Sequence, residues 1–366
     1  MNQMYFDRLT EEIKRQGLDA MLIAPSADMQ FLLGCVPMLC LRFQGLFVTK
    51  EGEYFYVCNL LSADEMKEIL PNKKVYSWFD GDGFIETTRQ ALEDHNLIGK
   101  TIGVNNGVRA FNLLEIMKEI DVGFVSARDL CSEIRILKSD EELAKMEKIA
   151  EIAVEAMRRT IPEIKAGLPE KEVQDLLTGN ARNLGAESAG ALVASGPNGG
   201  FPHYNDNSRR LERGDTVLID YGCTYQGLQS DITRTFFLGE MSEKQKEVYD
   251  LVYQAILAAE TALEKGERWI PNIDKAARQV IEKGGYGKSF TTRLGHGLGY
   301  MNHESPDIKK NNERMLEPRM AFTIEPGIYL ANEFGVRIED CMVIAPDGKL
   351  KILSAGLSKD CMVLDC

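Results

Sequence analysis

Residues 216–237 read TVLIDYGCTYQGLQSDITRTFF, two β-rich runs that flank the turn-forming segment CTYQGLQ. Val, Ile, Thr and Phe dominate both runs, which is typical of the strands of a β-hairpin. Each run also carries an aspartate, Asp220 in the first and Asp231 in the second. A hairpin centred between Tyr225 and Gln226 predicts that the two aspartates lie directly opposite each other, with their Cβ atoms about 5 Å apart.

The same arrangement occurs again near the end of the chain, in AFTIEPGIYLANEFGVRIEDCMV (residues 321–343). A hairpin centred at Asn332 predicts that Glu325 lies directly opposite Glu339. Between the two hairpins, His296 sits in the glycine-flanked stretch RLGHGLG. It is a candidate for one nitrogen ligand.

Four carboxylates and an imidazole therefore stand where a protein core is expected. An isolated acidic residue near a strand end is usually a turn cap or a surface residue, but two facing pairs are hard to explain in that way. A charge buried without a partner destabilises the folded state by roughly several kcal/mol or more. Two divalent cations would remove this cost and provide a reaction centre. The pattern predicts a dinuclear metalloenzyme.

Bulk composition excludes several other classes. The net charge of −13 argues against a nucleic-acid partner, which requires a basic surface. A run of about 18 apolar residues does not occur, and the first residues, MNQMYFDRLTEEIKRQG, are charged, so we expect neither a membrane span nor a signal peptide. The eight cysteines show no CxxC spacing, which favours reduced thiols and a cytoplasmic location.

The length of 366 residues favours two domains. Residues 1–132 alternate predicted helices and strands, which is typical of an α/β domain with a mixed sheet. From residue 133 the pattern changes, and Ser139 with Glu142 forms a capping box that predicts the start of a long helix. Helices grouped with hairpins predict an α+β fold for residues 133–366.

Taken in order, the motifs PHY, RLERGDTVLIDYG, SDITRTF, GHGLG with HESP, FTIEPGIY and GVRIED resemble the pita-bread metallopeptidases. Within them the chain is most similar to the Xaa-Pro dipeptidase (prolidase) and Xaa-Pro aminopeptidase branch. The opening RLTEEIKRQGLDAMLIAPSADMQFLLG resembles that branch's creatinase/prolidase-type N-terminal domain. The resemblance covers essentially the whole chain and implies a pita-bread catalytic domain over residues 133–366.

The resemblance also implies roles for individual residues. The five expected metal ligands are Asp220, Asp231, His296, Glu325 and Glu339, with Asp231 and Glu339 bridging two divalent ions. Glu325 corresponds to the ligand credited as general base, His203 and His303 to histidines that contact the substrate, and Arg337 to an active-site arginine. The carboxylate-rich set favours Mn²⁺, with Co²⁺, Zn²⁺ and Fe²⁺ as alternatives.

The chain departs from the branch at two places beside the expected substrate site. Many prolidase-like members carry a histidine four residues before the ligand histidine, where this chain has Thr292. The tripeptide before His303 is Tyr300-Met301-Asn302, which is bulkier and more polar than the usual apolar one. Both departures leave open whether proline is required and whether dipeptides or longer peptides are cleaved.

The expected reaction is hydrolysis of the N-terminal peptide bond of short peptides by a hydroxide held between two metal ions. A first alternative is a metal-dependent hydrolase that cleaves a small non-peptide amide on the same fold. A second is a non-catalytic binding module, which the presence of all five ligands disfavours. The resemblance implies two partners, a short peptide substrate and a second copy of the chain in a homodimer.

Overall fold

A computed structural model describes residues 3–204 and 206–365. The chain divides into two compact units, residues 1–135 and 136–366. The domain boundary expected after residue 132 stays a prediction. Within the described ranges, no helix is long and apolar enough to cross a membrane. The seven cysteines in these ranges are free thiols, and Cys366 lies outside them.

The N-terminal unit is built on one six-stranded sheet. Its strands are β1 (Ala20–Ile23), β2 (Gly45–Thr49), β3 (Tyr54–Asn59), β4 (Val75–Trp78), β5 (Thr101–Val104) and β6 (Gly123–Ser126). The strand order is β4-β3-β2-β1-β5-β6, with antiparallel pairing around β2 and parallel pairing elsewhere. The predicted mixed sheet is confirmed.

From residue 3 onward, where the structure is described, six α-helices accompany this sheet. They are α1 (Gln3–Arg15), α2 (Ala27–Leu33), α3 (Leu60–Ile69), α4 (Ile85–Asp94), α5 (Ala110–Glu119) and α6 (Arg128–Arg135). Phe47, Phe55 and Ile102 of the strands pack with Leu92 and Ile116 of the helices in one apolar core.

In the described residues of the C-terminal unit there are four α-helices and twelve strands. The helices are α7 (Asp140–Thr160), α8 (Glu170–Asn183), α9 (Glu243–Glu264) and α10 (Ile270–Lys283). The strands are β7 (Ser188–Ser195), β8 (Thr216–Tyr225), β9 (Leu228–Gln229), β10 (Ile232–Leu238), β11 (Gly295–Gly297), β12 (Glu304–Ile308), β13 (Ala321–Ile324), β14 (Gly327–Leu330), β15 (Phe334–Arg337), β16 (Asp340–Ile344), β17 (Leu350–Ile352) and β18 (Val363–Leu364). The predicted capping box is present, because the Ser139 hydroxyl accepts from the Glu142 amide and the Glu142 carboxylate accepts from the Ser139 amide.

The strands of this unit form two five-stranded sheets and a separate hairpin. One sheet has the order β18-β10-β8-β7, with β9 paired to β8, and the other has the order β12-β11-β13-β16-β17. The separate hairpin is β14-β15. Helices α7 and α8 share an apolar core with the first sheet, and α9 and α10 share one with the second. The predicted α+β fold is confirmed.

The two predicted hairpin registers have different outcomes. Around Asn332 the prediction is confirmed, because Gly327 pairs with Arg337 and Ile324 with Asp340, a register that sets Glu325 opposite Glu339. Asn332 has a φ of 63°, a left-handed conformation that asparagine tolerates in turns.

The register predicted around Tyr225 is wrong by one position at the turn. Asp220 pairs with Thr233, because the turn residues are Gln226 and Gly227, both with positive φ as a two-residue type I′ turn requires. The register moves by two residues, so Asp220 and Asp231 remain on one face as diagonal neighbours.

Candidate metal centre

The five predicted ligands come from segments far apart in sequence, and the structure brings them together. Asp220 lies on β8, Asp231 immediately precedes β10, His296 is the middle residue of β11, Glu325 follows β13 and Glu339 precedes β16. Potential ligand atoms lie within 4.8 Å of one another in the triad Asp220, Asp231 and Glu339, and in the triad His296, Glu325 and Glu339. Glu339 belongs to both triads.

The two sheets meet at this cluster. Thr233 of β10 and Glu339 form an isolated antiparallel bridge, and the Glu339 amide donates to the Thr233 carbonyl over 3.0 Å. The Thr233 hydroxyl also donates to Glu339 Oε2 over 2.7 Å. The backbone that carries Glu339 is therefore held in place by the sheet that carries both aspartates.

A buried arginine, Arg234, forms hydrogen bonds to both sides of the same junction between the two sheets. The Arg234 guanidinium, 2% exposed, donates to the backbone carbonyl of Glu339 over 2.6 Å and to Asp340 Oδ1 over 2.7 Å. Its remaining donors reach the carbonyls of Thr233, Leu357 and Ser358. All five donors of this guanidinium are therefore used, on four backbone carbonyls and one carboxylate.

The carboxylates are crowded and poorly hydrated. Asp231 is 4% exposed and Glu339 is 1% exposed, whereas Asp220 and Glu325 are partly accessible. Burial, followed by the neighbouring carboxylates, raises the pKa of Asp231 and of Glu339 well above the usual range. Burial also raises the pKa of Glu325 to about 7. Without a cation the cluster resists ionisation.

The ring orientation of His296 indicates what should lie between these groups. Its Nδ1 lies 3.0 Å from the Gly297 carbonyl, which can only accept, so Nδ1 carries the proton. Burial lowers the pKa of His296 to about 3, so the ring is neutral. The Nε2 lone pair then faces Asp231 Oδ2 at 3.5 Å and Glu325 Oε1 at 3.3 Å.

Three acceptors pointing at one another repel unless a cation lies among them. The nitrogen and oxygen donors converge from several sides, and a backbone carbonyl orients the imidazole, as is usual for metal-binding histidines. The donor set fits divalent cations, with oxygen ligands predominating.

Arg337 is the cation built into the cluster. It is 3% exposed and donates to Asp220 Oδ2, to the Tyr329 hydroxyl over 2.7 Å and to Thr233 Oγ1 over 3.1 Å. Its position was predicted through the resemblance, whereas the contacts to Thr233 and Tyr329 were not. The guanidinium orients Asp220 and offsets part of the negative charge.

The two other predicted histidines lie at the entrance of the site. The His303 ring is 4.3 Å from that of His296, edge to face, and His303 also has a nitrogen within 4.8 Å of Asp231 and His296 ligand atoms. His203 lines the same cavity from the loop that follows β7. Both side chains are placed to contact a molecule bound at the cluster.

A cavity of about 580 Å³ contains the cluster, and we call it the metal cavity. Thr292 and Asn302 line it, so two of the departures noted in the sequence face the site, whereas Tyr300 donates its hydroxyl to Glu142. Sequence reasoning missed three charged residues of the wall, Arg293, Asp307 and Lys309. Arg293 and Lys309 each contact the Asp307 carboxylate, over 2.7 and 2.6 Å, which leaves the group with one net positive charge.

Thr233, Arg234 and Tyr329 were not predicted as site residues, and only the position of Thr233 could have been found from sequence spacing. Thr233 stands two residues after Asp231, so strand alternation places both side chains on one face. Arg234 and Tyr329 stand within the motifs SDITRTF and FTIEPGIY, but spacing gives no signal for their contacts, because their partners are distant in sequence or on a different strand.

Both units of the chain are similar in sequence to known proteins. The model of "Metallopeptidase family M24" matches residues 144–346, and that of "Creatinase/Prolidase N-terminal domain" matches residues 6–137. A Xaa-Pro dipeptidase of Pyrococcus furiosus is 37% identical over 94% of the chain and 96% of its own length. A Xaa-Pro dipeptidase of Pyrococcus horikoshii is 34% identical over 94% of the chain and 95% of its own length.

Solved structures show the same similarity. A prolidase from Thermococcus sibiricus superposes with a TM-score of 0.92, at 32% identity, over the full length of both chains. An X-Pro aminopeptidase from Thermotoga maritima superposes with a TM-score of 0.83, at 30% identity, over 98% of this chain and 99% of its own.

Proposed function

The chain belongs to metallopeptidase family M24, and we propose that it hydrolyses the N-terminal peptide bond of Xaa-Pro dipeptides with the aid of two divalent cations. The observation that carries the proposal is the convergence of four carboxylates and the neutral Nε2 of His296 in one cavity. Relatives named Xaa-Pro dipeptidase support the substrate class.

We assign the metal ligands to Asp220, Asp231, His296, Glu325 and Glu339. Asp231 and Glu339 would contact both cations, because they are the most buried carboxylates of the cluster and each belongs to two of the three groups of converging ligand atoms. Mn²⁺ is the proposed metal, since hard oxygen donors predominate. Bound divalent cations would supply an electrophile for the substrate carbonyl and a nucleophile from water at neutral pH.

The side chains of the cavity have separate tasks in this proposal. Glu325, whose burial raises its pKa to about 7, accepts a proton from the attacking water and passes it to the departing nitrogen. His303, close to the His296 ring, donates a hydrogen bond to the oxygen that becomes negatively charged. His203 contacts the substrate from the opposite loop, and Arg337 holds Asp220 in position.

The charge of the cavity wall supports a short substrate. A dipeptide presents a carboxylate one residue beyond the cleaved bond, and Arg293 and Lys309 provide cations inside the metal cavity. In a longer peptide that carboxylate lies farther from the bond. Dipeptides thus fit the charge distribution better than tripeptides do.

The experiment that tests the proposal is hydrolysis by the protein reconstituted with Mn²⁺. Three substrate classes are compared: Xaa-Pro dipeptides, Xaa-Pro-Yaa tripeptides and Met-Ala-Yaa peptides. Cleavage of the first class alone is expected. Cleavage of tripeptides at equal rates would assign an aminopeptidase, and failure on all three would favour hydrolysis of a small non-peptide amide.

We further propose a homodimer formed through the N-terminal unit. Six large apolar side chains lie at one end of three neighbouring strands, where β2 begins and β3 and β4 end. Each of them is more than half exposed. They are Met38, Leu39, Leu41, Leu60, Leu61 and Phe79. Exposed apolar patches of this kind are typical of association surfaces.

We also propose a reducing, cytoplasmic location, which the spacing of the cysteines in the sequence supports.

A further inference from the structure

Glu170, the first residue of α8, is fully buried and does not line the metal cavity. A buried carboxylate destabilises the folded state unless hydrogen bonds compensate for the loss of water. The partners of this carboxylate therefore indicate its task. They belong to the stretch of chain that carries His203, and we call residues 195–209 the His203 segment.

The carboxylate of Glu170 binds the beginning of the His203 segment. Its Oε1 accepts from the amide of Ser195 over 2.6 Å and from the hydroxyl of Ser195 over 2.7 Å. Asn198 Nδ2 donates to the same oxygen over 3.0 Å and to Oε2 over 3.3 Å. Ser195 is the buried last residue of β7, and Asn198 lies in the short 3₁₀ turn Gly196–Gly200. Glu170 thus fixes the point at which the segment leaves the sheet.

The end of the His203 segment is bound at the same place. The backbone amide of Glu170 donates to the carbonyl of Arg209 over 2.9 Å. Arg209 Nη1 donates to the Ser195 hydroxyl over 2.7 Å, and this hydroxyl in turn donates to Glu170. The guanidinium also pairs with Asp215. Glu170 therefore joins the two ends of the segment, one through its side chain and the other through its backbone.

The turn at the beginning of the segment packs closely on the β14-β15 hairpin. A Cβ atom built on Gly335 of β15 would overlap the carbonyl group of Gly199, so the two backbones are in direct contact. Arg337, two residues after Gly335, binds the predicted ligand Asp220. The turn is therefore held between Glu170 and a strand that reaches the metal cluster.

His203 depends on this support because its own side chain is exposed. Within the described part of the chain, the His203 ring forms no hydrogen bond and no ion pair, although it lines the metal cavity. The position of the ring therefore follows from the backbone of the His203 segment. A functional side chain needs such a supporting structure to keep its geometry.

We propose that Glu170 is a positioning residue, which holds the His203 segment so that the imidazole of His203 reaches a substrate at the metal centre. This inference rests on the proposed Xaa-Pro hydrolysis. Removal of the carboxylate leaves the buried donors of Ser195 and Asn198 without their acceptor, so the segment shifts. A shift of about 1 Å in a group that orients the substrate can lower the rate by about 100-fold.

The test is a double-mutant cycle in the Mn²⁺-loaded protein with Ala-Pro as substrate. Glu170→Ala should lower kcat/KM by about tenfold, with the change divided between kcat and KM as in His203→Ala. In the His203→Ala background the same substitution should not lower kcat/KM further, because the imidazole through which Glu170 acts is absent. The decrease in Tm should be equal in both backgrounds, which separates the positioning role from a general loss of stability.

Asn198→Ala provides a milder second variant, which tests the same connection if Glu170→Ala does not fold. It removes one partner of the carboxylate and keeps the two donors of Ser195. We expect a smaller loss of kcat/KM than in Glu170→Ala, again only while His203 is present.

Glu172→Ala is the matched control, since Glu172 lies in the same first turn of α8 but is exposed. It should keep the wild-type kcat/KM. Three results would overturn this inference while leaving Xaa-Pro hydrolysis intact: an unchanged kcat/KM in Glu170→Ala, a loss that persists without His203, or a loss of bound Mn²⁺. Failure of the unaltered chain to cleave Xaa-Pro dipeptides would overturn both.

Discussion

Thr233 and Glu339 are joined twice, by an antiparallel backbone bridge and by a hydrogen bond of 2.7 Å from the Thr233 hydroxyl to Glu339 Oε2. Thr233 belongs to the sheet that carries Asp220 and Asp231, whereas Glu339 leads into the other sheet. The same hydroxyl accepts from Arg337 Nε. A single threonine thus orients a ligand of one sheet relative to the ligands of the other.

Thr233→Val preserves the shape of the side chain and removes this hydroxyl. We expect metal affinity to fall by about 10- to 100-fold, the usual effect of removing a hydrogen bond behind a ligand. Competition with a chromogenic chelator measures it. Thr216→Val is the control, because the Thr216 hydroxyl is buried without a partner among the described residues. Equal affinities in the two variants would contradict the orienting role.

Glu325→Gln tests the proton-transfer role. The amide cannot accept the proton from water, so kcat should fall by at least about 100-fold. Steady-state kinetics with saturating Mn²⁺ measures the loss. Glu333→Gln, at the exposed tip of the β14-β15 hairpin where Glu333 pairs with Lys244, should keep the wild-type rate. Wild-type turnover by Glu325→Gln with metals bound would refute the assignment.

His303→Ala separates substrate contact from metal binding, since His303 lies within reach of Asp231 and His296. We expect kcat/KM to fall by about 100-fold through loss of a donor to the developing oxyanion, with metal stoichiometry unchanged. Kinetics together with metal analysis of the same preparation gives both values. His95→Gln, in the N-terminal unit, is the control. Loss of one metal equivalent from His303→Ala would make His303 a ligand instead.

Sequence reasoning reached the metal cluster because each predicted ligand interrupts an apolar strand and each hairpin has a recognisable turn. The register around Asn332 could be predicted, since the turn residues lie symmetrically about a residue that tolerates left-handed backbone. The other register failed by one position, because Gln226-Gly227 is the actual turn pair. A glycine at the second turn position was the available signal.

Other parts of the site depend on contacts that sequence spacing does not encode. Arg234 reaches Asp340 and the carbonyl of Leu357, more than a hundred residues away. A second cavity beside the metal centre, of about 790 Å³, is lined by small residues of β7 and β8 together with Gln174 of α8. Arg234 stands within the motif SDITRTF, but the motif does not show which residues Arg234 contacts, so these parts of the site follow only from the packing of the elements.

The pH dependence of stability should differ between metal-free and metal-loaded protein. In the metal-free protein, burial raises the pKa of Glu325 to about 7, and burial with neighbouring charge raises that of Asp231 and Glu339 well above the usual range. The folded state therefore binds protons that the unfolded state has lost, so stability falls as the pH rises. His296, whose pKa burial lowers to about 3, acts in the opposite direction, but only below about pH 6.5.

Between about pH 6.5 and pH 8 we expect the Tm of chelator-treated protein to fall, because in this cluster the carboxyl groups, and not His296, lose protons on unfolding in that range. Each carboxyl group that stays protonated in the folded state lowers the free energy of unfolding by roughly 1.4 kcal/mol for every unit that the pH rises. Mn²⁺-loaded protein should not show this decrease, since bound cations keep the carboxylates ionised. Differential scanning calorimetry across the range provides the comparison. The same dependence of Tm on pH in the chelator-treated and the Mn²⁺-loaded protein would show that the cluster does not bind metal.

The most direct test of the dinuclear centre is calorimetric titration of chelator-treated protein with Mn²⁺. We expect two equivalents to bind per chain and Xaa-Pro hydrolysis to be restored as they bind. The matched variant Asp231→Asn, which removes the charge of one proposed bridging ligand, should bind at most one equivalent tightly. Binding of one equivalent or none by the unaltered chain, or full hydrolysis before any metal is added, would contradict it.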